Sequence, residues 1–120
     1  MKKKVLIVDD EAAFADSVAE ILKIKNYDVI VAANAEASFE ALASETPNIV
    51  LLDVNLPDKN GFEVLRIIKA SRDFRRIPVV LITGDIAVHV DRAFSEGADD
   101  CIFKPVDMDK LVYTINRLLK

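Results

Sequence analysis

Ile49-Val50-Leu51-Leu52-Asp53, followed by Val54-Asn55-Leu56-Pro57-Asp58-Lys59-Asn60-Gly61, is a continuous apolar run that stops on a carboxylate and opens into a breaker-rich loop. An unbroken run of branched residues is expected of a strand covered by helices on both faces of a parallel sheet. Three other runs have the same form: Val5-Leu6-Ile7-Val8 ends on Asp9-Asp10, Val79-Val80-Leu81-Ile82 on Thr83, and Cys101-Ile102-Phe103 on Lys104. Laid parallel in one sheet, these runs collect three carboxylates, a hydroxyl and an ammonium at the carboxyl edge, where open α/β sheets bind ligands. Such a set suits phosphoryl chemistry with a divalent cation.

Outward from these runs, strand and helix patterns alternate along the whole chain. Strands are expected near 4–8, 28–32, 48–52, 77–82 and 100–103, and helices near 11–25, 35–44, 61–71, 86–96 and 107–119. The helices carry apolar stripes at helical spacing: Phe14, Val18, Ile21 and Leu22; Val64, Leu65 and Ile68; Ile86, Val90, Ala93 and Phe94; Leu111, Ile115, Leu118 and Leu119. All are expected to face the core. Gly97 is placed as a left-handed cap after the fourth helix, and Ile77-Pro78 forces the chain out of helix before the fourth strand. Five βα units with short, right-handed connections give a doubly wound α/β domain. The last helix runs to Lys120, so residues 1–120 are expected to form one domain.

Composition agrees. A chain of 120 residues with 52% hydrophobic content can bury a proper core. A net charge of −4, with Lys2-Lys3-Lys4 the one basic run, gives no electrostatic case for direct nucleic-acid binding. The lone Cys101 excludes an intramolecular disulfide and fits a reducing compartment. No stretch approaches the roughly 20 apolar residues that span a bilayer, and acidic residues interrupt any signal-peptide core after Val8. A soluble cytoplasmic protein without membrane partners is expected.

Each strand ending has two readings. Asp9-Asp10-Glu11 could be an acidic first helical turn, favoured by the helix dipole, or a site for a hard cation such as Mg²⁺, which takes oxygen ligands. Asp53 could cap its strand or act as a nucleophilic carboxylate forming an aspartyl phosphate, with free backbone carbonyls in the loop beyond it. Thr83 could cap the next helix or donate its hydroxyl to a phosphoryl oxygen, with Gly84 leaving the approach open. Lys104 could be solvated or a counter-ion able to turn onto a phosphoryl oxygen. Asp85 divides evenly between helix capping and tuning water attack. His89, the single histidine, reads as solvent-facing.

The order acidic pair, Asp, Thr, Lys-Pro, each after an apolar run, resembles the receiver domain of bacterial two-component response regulators. The segments VLIVDDE, IVLLDVNLPDKNGFEVL, IPVVLITGD and EGADDCIFKP carry the resemblance, which covers the whole chain. It implies a flavodoxin-like fold with strand order 2-1-3-4-5. It further implies that Asp53 accepts a phosphoryl group from a sensor histidine kinase or phosphotransfer protein. Asp10 and Asp53 would contact Mg²⁺ (or Mn²⁺) directly and Asp9 through water, with the backbone carbonyl of Asn55 as a further ligand. Thr83 and Lys104 would bind phosphoryl oxygens, and Lys104-Pro105 would be cis, against a baseline of about 5–6% for X-Pro bonds. Phosphorylation would change the surface of the fourth helix, fifth strand and fifth helix, directing output to a downstream protein, an effector domain or a phosphorylation-dependent dimer. If the chain is complete at Lys120, output through protein contacts is expected. The chain would promote its own phosphorylation and dephosphorylation without being a metabolic enzyme.

One position departs from the family. Three residues before the lysine, where an aromatic switch is usual, stands Cys101; Phe103 shares its strand face but not the switch position. Cys101 does not put phosphotransfer in doubt, but it does put the aromatic relay in doubt. Three rivals are weaker. A haloacid-dehalogenase-type phosphatase would carry its nucleophile early and its acidic pair late, the reverse of this chain. A flavin carrier would need a phosphate loop rich in Ser, Thr and Gly where Asp-Asp-Glu-Ala stands. A receiver-like module that binds partners without phosphorylation would not need the full set Asp9, Asp10, Asp53, Thr83 and Lys104.

Overall fold

The computed structural model describes residues 2–85 and 87–120. Strands β1 (Lys4–Val8), β2 (Asp28–Ala32), β3 (Ile49–Asp53), β4 (Val79–Thr83) and β5 (Asp100–Phe103) alternate with helices α1 (Ala12–Ile24), α2 (Ala35–Glu45), α3 (Gly61–Ala70), α4 (Val90–Ser95) and α5 (Met108–Leu118). The strands form one parallel sheet in the order β2-β1-β3-β4-β5, the flavodoxin-like arrangement expected. Chain order and spatial order part company at β1, between β2 and β3. That switch opens the crevice at the carboxyl edge.

The sheet separates two apolar layers, which accounts for the unbroken apolar runs. Val5, Ile7, Leu51, Val80 and Ile102 pack with Val18, Leu22, Leu111 and Ile115 of α1 and α5. Leu6, Val50, Leu52, Leu81 and Cys101 pack with Leu42 of α2, Leu65 and Ile68 of α3, and Ala93 of α4. Residues of alternating parity therefore serve opposite layers, as strand geometry requires.

Capping fixes the helix ends. After α1, Asn26 adopts φ 74°, and its N–H and that of Tyr27 return to the carbonyls of Lys23 and Leu22 at 3.0 Å each. Gly97 closes α4 in the same way: with φ 106° it donates to Phe94 O, while Ala98 donates to Ala93 O, both at 3.0 Å. Gly97 is thus the left-handed cap expected.

The fourth helix differs from its expected extent. It begins at Val90 rather than near residue 86, and residues 87–89 lie outside it; Ile86, placed in its apolar stripe, lies outside the described residues. Val90 and Phe94 do not face the core but are 42% and 48% exposed, and among the described residues of that stripe only Ala93 is buried. A six-residue helix presents less than two turns to the sheet, so one small residue suffices for its contact. Leu118 and Leu119 at the end of α5 are half-buried rather than core.

Candidate functional site

Two of the polar strand endings lie inside the sheet rather than just beyond it. Asp53 is the last ladder residue of β3, paired in register with Ile82, and Thr83 is the last of β4, paired with Phe103. Their backbones are therefore fixed by strand hydrogen bonds. Asp9 follows β1 directly, and its N–H donates to Ala32 O at 3.0 Å. Lys104 follows β5, with its N–H on Thr83 O at 2.9 Å. The Lys104-Pro105 peptide is cis, as the resemblance implied.

These anchors bring the acidic groups together. Carboxylate oxygens of Asp9, Asp10 and Asp53 all lie within 4.8 Å of one another. Asp9 and Asp53 are only 3% and 6% exposed, whereas Asp10 faces solvent. Burial, and then the negative charge of Asp9, push the Asp53 carboxyl up to about 6, against the opposing pull of Lys104. Confining two anions this closely is unfavourable unless a cation or proton intervenes. The donor set is all oxygen and hard, which fits Mg²⁺.

Lys104 reaches over this cluster. Its Nζ donates to Asp9 Oδ2 at 2.9 Å and to Glu11 Oε1 at 2.5 Å, and stands 3.7 Å from Asp53 Oδ2. The Phe14 ring lies below it, 4.4 Å from Nζ to the ring centre. Burial works against the lysine's charge, but Glu11, Asp9 and Asp53 together overcome this and raise Lys104 above the usual lysine range. Asp10, Glu11, Asp53, Asn55, Gly84, Asp85 and Lys104 line a crevice of about 360 Å³. A larger hollow of about 520 Å³ lies at the amino edge beside Lys4, Lys23 and Tyr27. Among the described residues, the only group of three or more metal-ligating side chains is at the carboxyl edge.

Thr83 is placed behind this crevice. It is fully buried, and its Oγ1 accepts from the Asp85 N–H at 3.0 Å. Its proton remains free to be donated, since a hydroxyl both donates and accepts. An added Cβ at Gly84 would meet only Lys104 carbons, at 3.8 and 3.9 Å, so this glycine keeps the surface low rather than relieving a clash. Asp85 turns back to accept from Ala87 N–H at 2.9 Å, closing a local turn rather than capping a helix as expected, since α4 begins only at Val90 with His89 at its N-cap; Asp85 also lines the crevice. His89 stands before α4, gives no side-chain cap, and belongs to no metal-ligating group among the described residues. Cys101 is buried, and burial, then Asp100, raise its thiol above the usual range. Phe103 on the same strand face is 37% exposed.

Two residues of the loop after Asp53 matter more than their sequence context conveyed. A Cβ at Gly61 would lie 2.3 Å from Asp53 O and 2.7 Å from Val54 Cα, so only glycine lets α3 start against the end of β3. Gly61 N–H also donates to Val54 O at 2.6 Å, closing the loop. Asp58 reaches across to α2, accepting from Ala35 N–H at 2.8 Å and Glu36 N–H at 3.1 Å. Those backbone bonds, Ala35 first, hold the Asp58 carboxyl below the usual range. Asn34 caps the same helix by accepting from Ala37 N–H at 2.7 Å. A cap supplied from 23 positions away leaves no local signal; Gly61, next to Asn60 and before an apolar stripe, was visible as a breaker but not as a contact.

The family profile described as response regulator receiver domain matches residues 5–116. This chain belongs to the response regulator receiver domain family. Over 98% of its length the receiver domain is 38% identical to the transcriptional regulatory protein CrdR of Helicobacter pylori, covering 55% of that protein. It is 31% identical to the DNA-binding response regulator MtrA of Mycobacterium tuberculosis, over 100% of this chain and 52% of that protein. The chain thus spans about half the length of these relatives. A response regulator receiver domain protein of Methanospirillum hungatei superposes with a TM-score of 0.90 at 32% identity, covering 99% of this chain and 94% of that one. Receiver domains bind Mg²⁺ at an acidic pocket, and this one carries a cluster of acidic side chains at Asp9, Asp10 and Asp53. A cation held by this cluster should bind more weakly as pH falls through about 6, because protonation of Asp53 removes one of the cluster's negative charges. Titrating Mg²⁺ against the chain between pH 5 and pH 8, by calorimetry or NMR, checks this; pH-independent affinity would contradict it.

Proposed function

We propose that residues 1–120 act as a phosphoacceptor domain in which Asp53 takes a phosphoryl group from a phosphohistidine on a sensor histidine kinase or phosphotransfer protein. The observation that carries this reading is a buried Asp53 carboxylate pressed against Asp9 at an open crevice. An Asp53 oxygen forms the bond to phosphorus as the P–N bond breaks, and its electron pair returns to the imidazole nitrogen, which takes a proton. Asp9, Asp10, Asp53 and the Asn55 backbone carbonyl would hold Mg²⁺ (or Mn²⁺), which when bound supplies the positive charge that lets carboxylate and phosphoryl group approach. Thr83 donates its hydroxyl and Lys104 its ammonium to phosphoryl oxygens, stabilising charge where it develops.

The new dianion then biases the neighbouring surface. Val90, Phe94, Phe103 and Tyr113, on α4, β5 and α5, are 42%, 48%, 37% and 67% exposed, an apolar set on the surface assigned to output. A partner protein, an effector domain on the same chain or a second copy would bind there. No helix among the described residues is long and apolar enough to cross a membrane, which is compatible with a cytoplasmic site of action. The relatives named as DNA-binding are about twice this length, so nucleic-acid contact is assigned to an effector rather than to residues 1–120.

Incubation with Mg²⁺ and acetyl phosphate, followed by mass measurement, tests the reading. One added phosphoryl group is expected on the wild type and none on Asp53→Asn. Output is tested at Cys101. Cys101→Tyr places a large side chain where the family's aromatic switch stands and should alter partner binding or dimerisation more than the phosphorylation rate. Equal effects on both, measured with purified kinase, would count against it.

A further inference from the structure

We propose that Glu11 is a positioning residue that holds the Lys104 ammonium short of a hydrogen bond to Asp53, so that Lys104 engages a phosphoryl oxygen only by giving up the Glu11 carboxylate. This rests on the phosphoacceptor reading of Asp53 and adds a residue to it.

The geometry is asymmetric. Lys104 Nζ makes its two hydrogen bonds with Asp9 Oδ2 and Glu11 Oε1, at 2.9 and 2.5 Å, while Asp53 Oδ2 stands at 3.7 Å, beyond hydrogen-bonding range. The shorter bond thus goes to a residue outside the cluster of Asp9, Asp10 and Asp53. Helix capping does not explain Glu11. It occupies the N-cap position of α1, yet its side chain makes no cap hydrogen bond; its N–H is taken by Asp9 Oδ1 at 2.9 Å and its carboxylate points to the lysine. Phe14, one turn along the same helix, offers its ring face to the ammonium at 4.4 Å. Carboxylate and ring together form a resting place for Lys104 at the start of α1, with Asp53 Oδ2 at ion-pair distance but not hydrogen-bonded. Lys104 is 15% exposed and Glu11 63%, so the lysine is held firmly and the glutamate can let go at small cost.

An ammonium held by a competitor must break that contact before it can stabilise incoming charge. Removing the competitor therefore lowers the barrier and strengthens the phosphorylated state. An exposed carboxylate paired with a lysine is weak enough that the expected effect of Glu11→Gln is about a 1.5-fold to fivefold faster phosphorylation at saturating Mg²⁺. Loss of plain charge repulsion would also speed reaction with an anionic donor, so two donors are needed. Acetyl phosphate carries more negative charge near neutral pH than phosphoramidate.

The experiment measures phosphorylation rates of the full chain, wild type, Glu11→Gln and Glu11→Ala, with each donor, and follows the Lys104 ammonium signal by NMR. The proposal expects both variants to be accelerated by the same factor with both donors. It also expects the Lys104 signal, ordered in the wild type, to broaden in the variants. Unchanged or slower rates would overturn it, as would acceleration confined to acetyl phosphate or an unaltered lysine signal. A wild type that takes up no phosphoryl group, or an Asp53→Asn variant labelled as well as wild type, would instead undo the acceptor assignment itself.

Discussion

Asp53→Asn is expected to abolish phosphoryl uptake and, in the absence of divalent cations, to make the chain more stable. The two effects share one cause. In the folded state the Asp53 carboxyl is raised from 3.8 to about 6, chiefly by burial and then by Asp9. A carboxyl with a raised folded-state value binds its proton more tightly folded than unfolded, so its contribution is most favourable below 3.8. It becomes unfavourable as pH rises through about 6. At neutral pH the full penalty is present. Allowing for residual solvation, that penalty is about 1–2 kcal/mol, taken from 1.36 kcal/mol per pKa unit. Asparagine has nearly the same shape and no charge, so it removes the penalty without leaving a cavity. In a chelating buffer at pH 7 the melting temperature should rise by roughly 4–8 °C. The gain should shrink toward pH 4 and should also shrink when Mg²⁺ is supplied to the wild type. A variant less stable than wild type at pH 7 without metal would show that the carboxylate is not strained there.

Gly61→Ala is the second large effect, in the opposite direction. The added methyl would lie 2.3 Å from Asp53 O, 2.7 Å from Val54 Cα and 3.0 Å from Asp53 C. All three are backbone atoms, so no side chain can rotate out of the way. The strand end is fixed by its ladder, and the helix start by Asn60, which accepts from Phe62 N–H at 2.8 Å. Helix propensity would favour alanine by up to about 1 kcal/mol, but the overlap dominates. We expect a net loss of about 3 kcal/mol, read by denaturant unfolding, with slower phosphorylation as the Asp53 backbone shifts. An alanine variant as stable as the wild type would mean that α3 can slide away from β3 without cost.

The difference between these two positions shows what the sequence makes legible. Asp53 announces itself because a wholly apolar run ends on it, and the matching runs ending at Asp9-Asp10, Thr83 and Lys104 could be aligned without coordinates. Parallel strands buried on both faces leave so strong a pattern that strand positions followed closely, while the sheet order came from the family resemblance. Gly61 was readable only as a breaker, because close approach of two backbones has no one-dimensional signature. The fourth helix was overextended for a related reason. Val90, Ala93 and Phe94 recur at helical spacing whether they face a core or solvent, and here Val90 and Phe94 are largely exposed. The Lys104 contacts with Glu11 and Phe14 join residues more than 90 positions apart for the first of these, and periodicity carries no information at that range.

The cap that Asp58 places on α2 gives the acceptor loop a second register in which its state is written. The amide protons of Ala35 and Glu36 have carboxylate oxygens of this loop as their partners. They exchange with solvent only when that carboxylate withdraws, since local opening is what exposes a protected amide. Their exchange rate therefore reports the breathing of residues 54–60 from a helix that carries none of the chemistry, a built-in clock on the far side of β1.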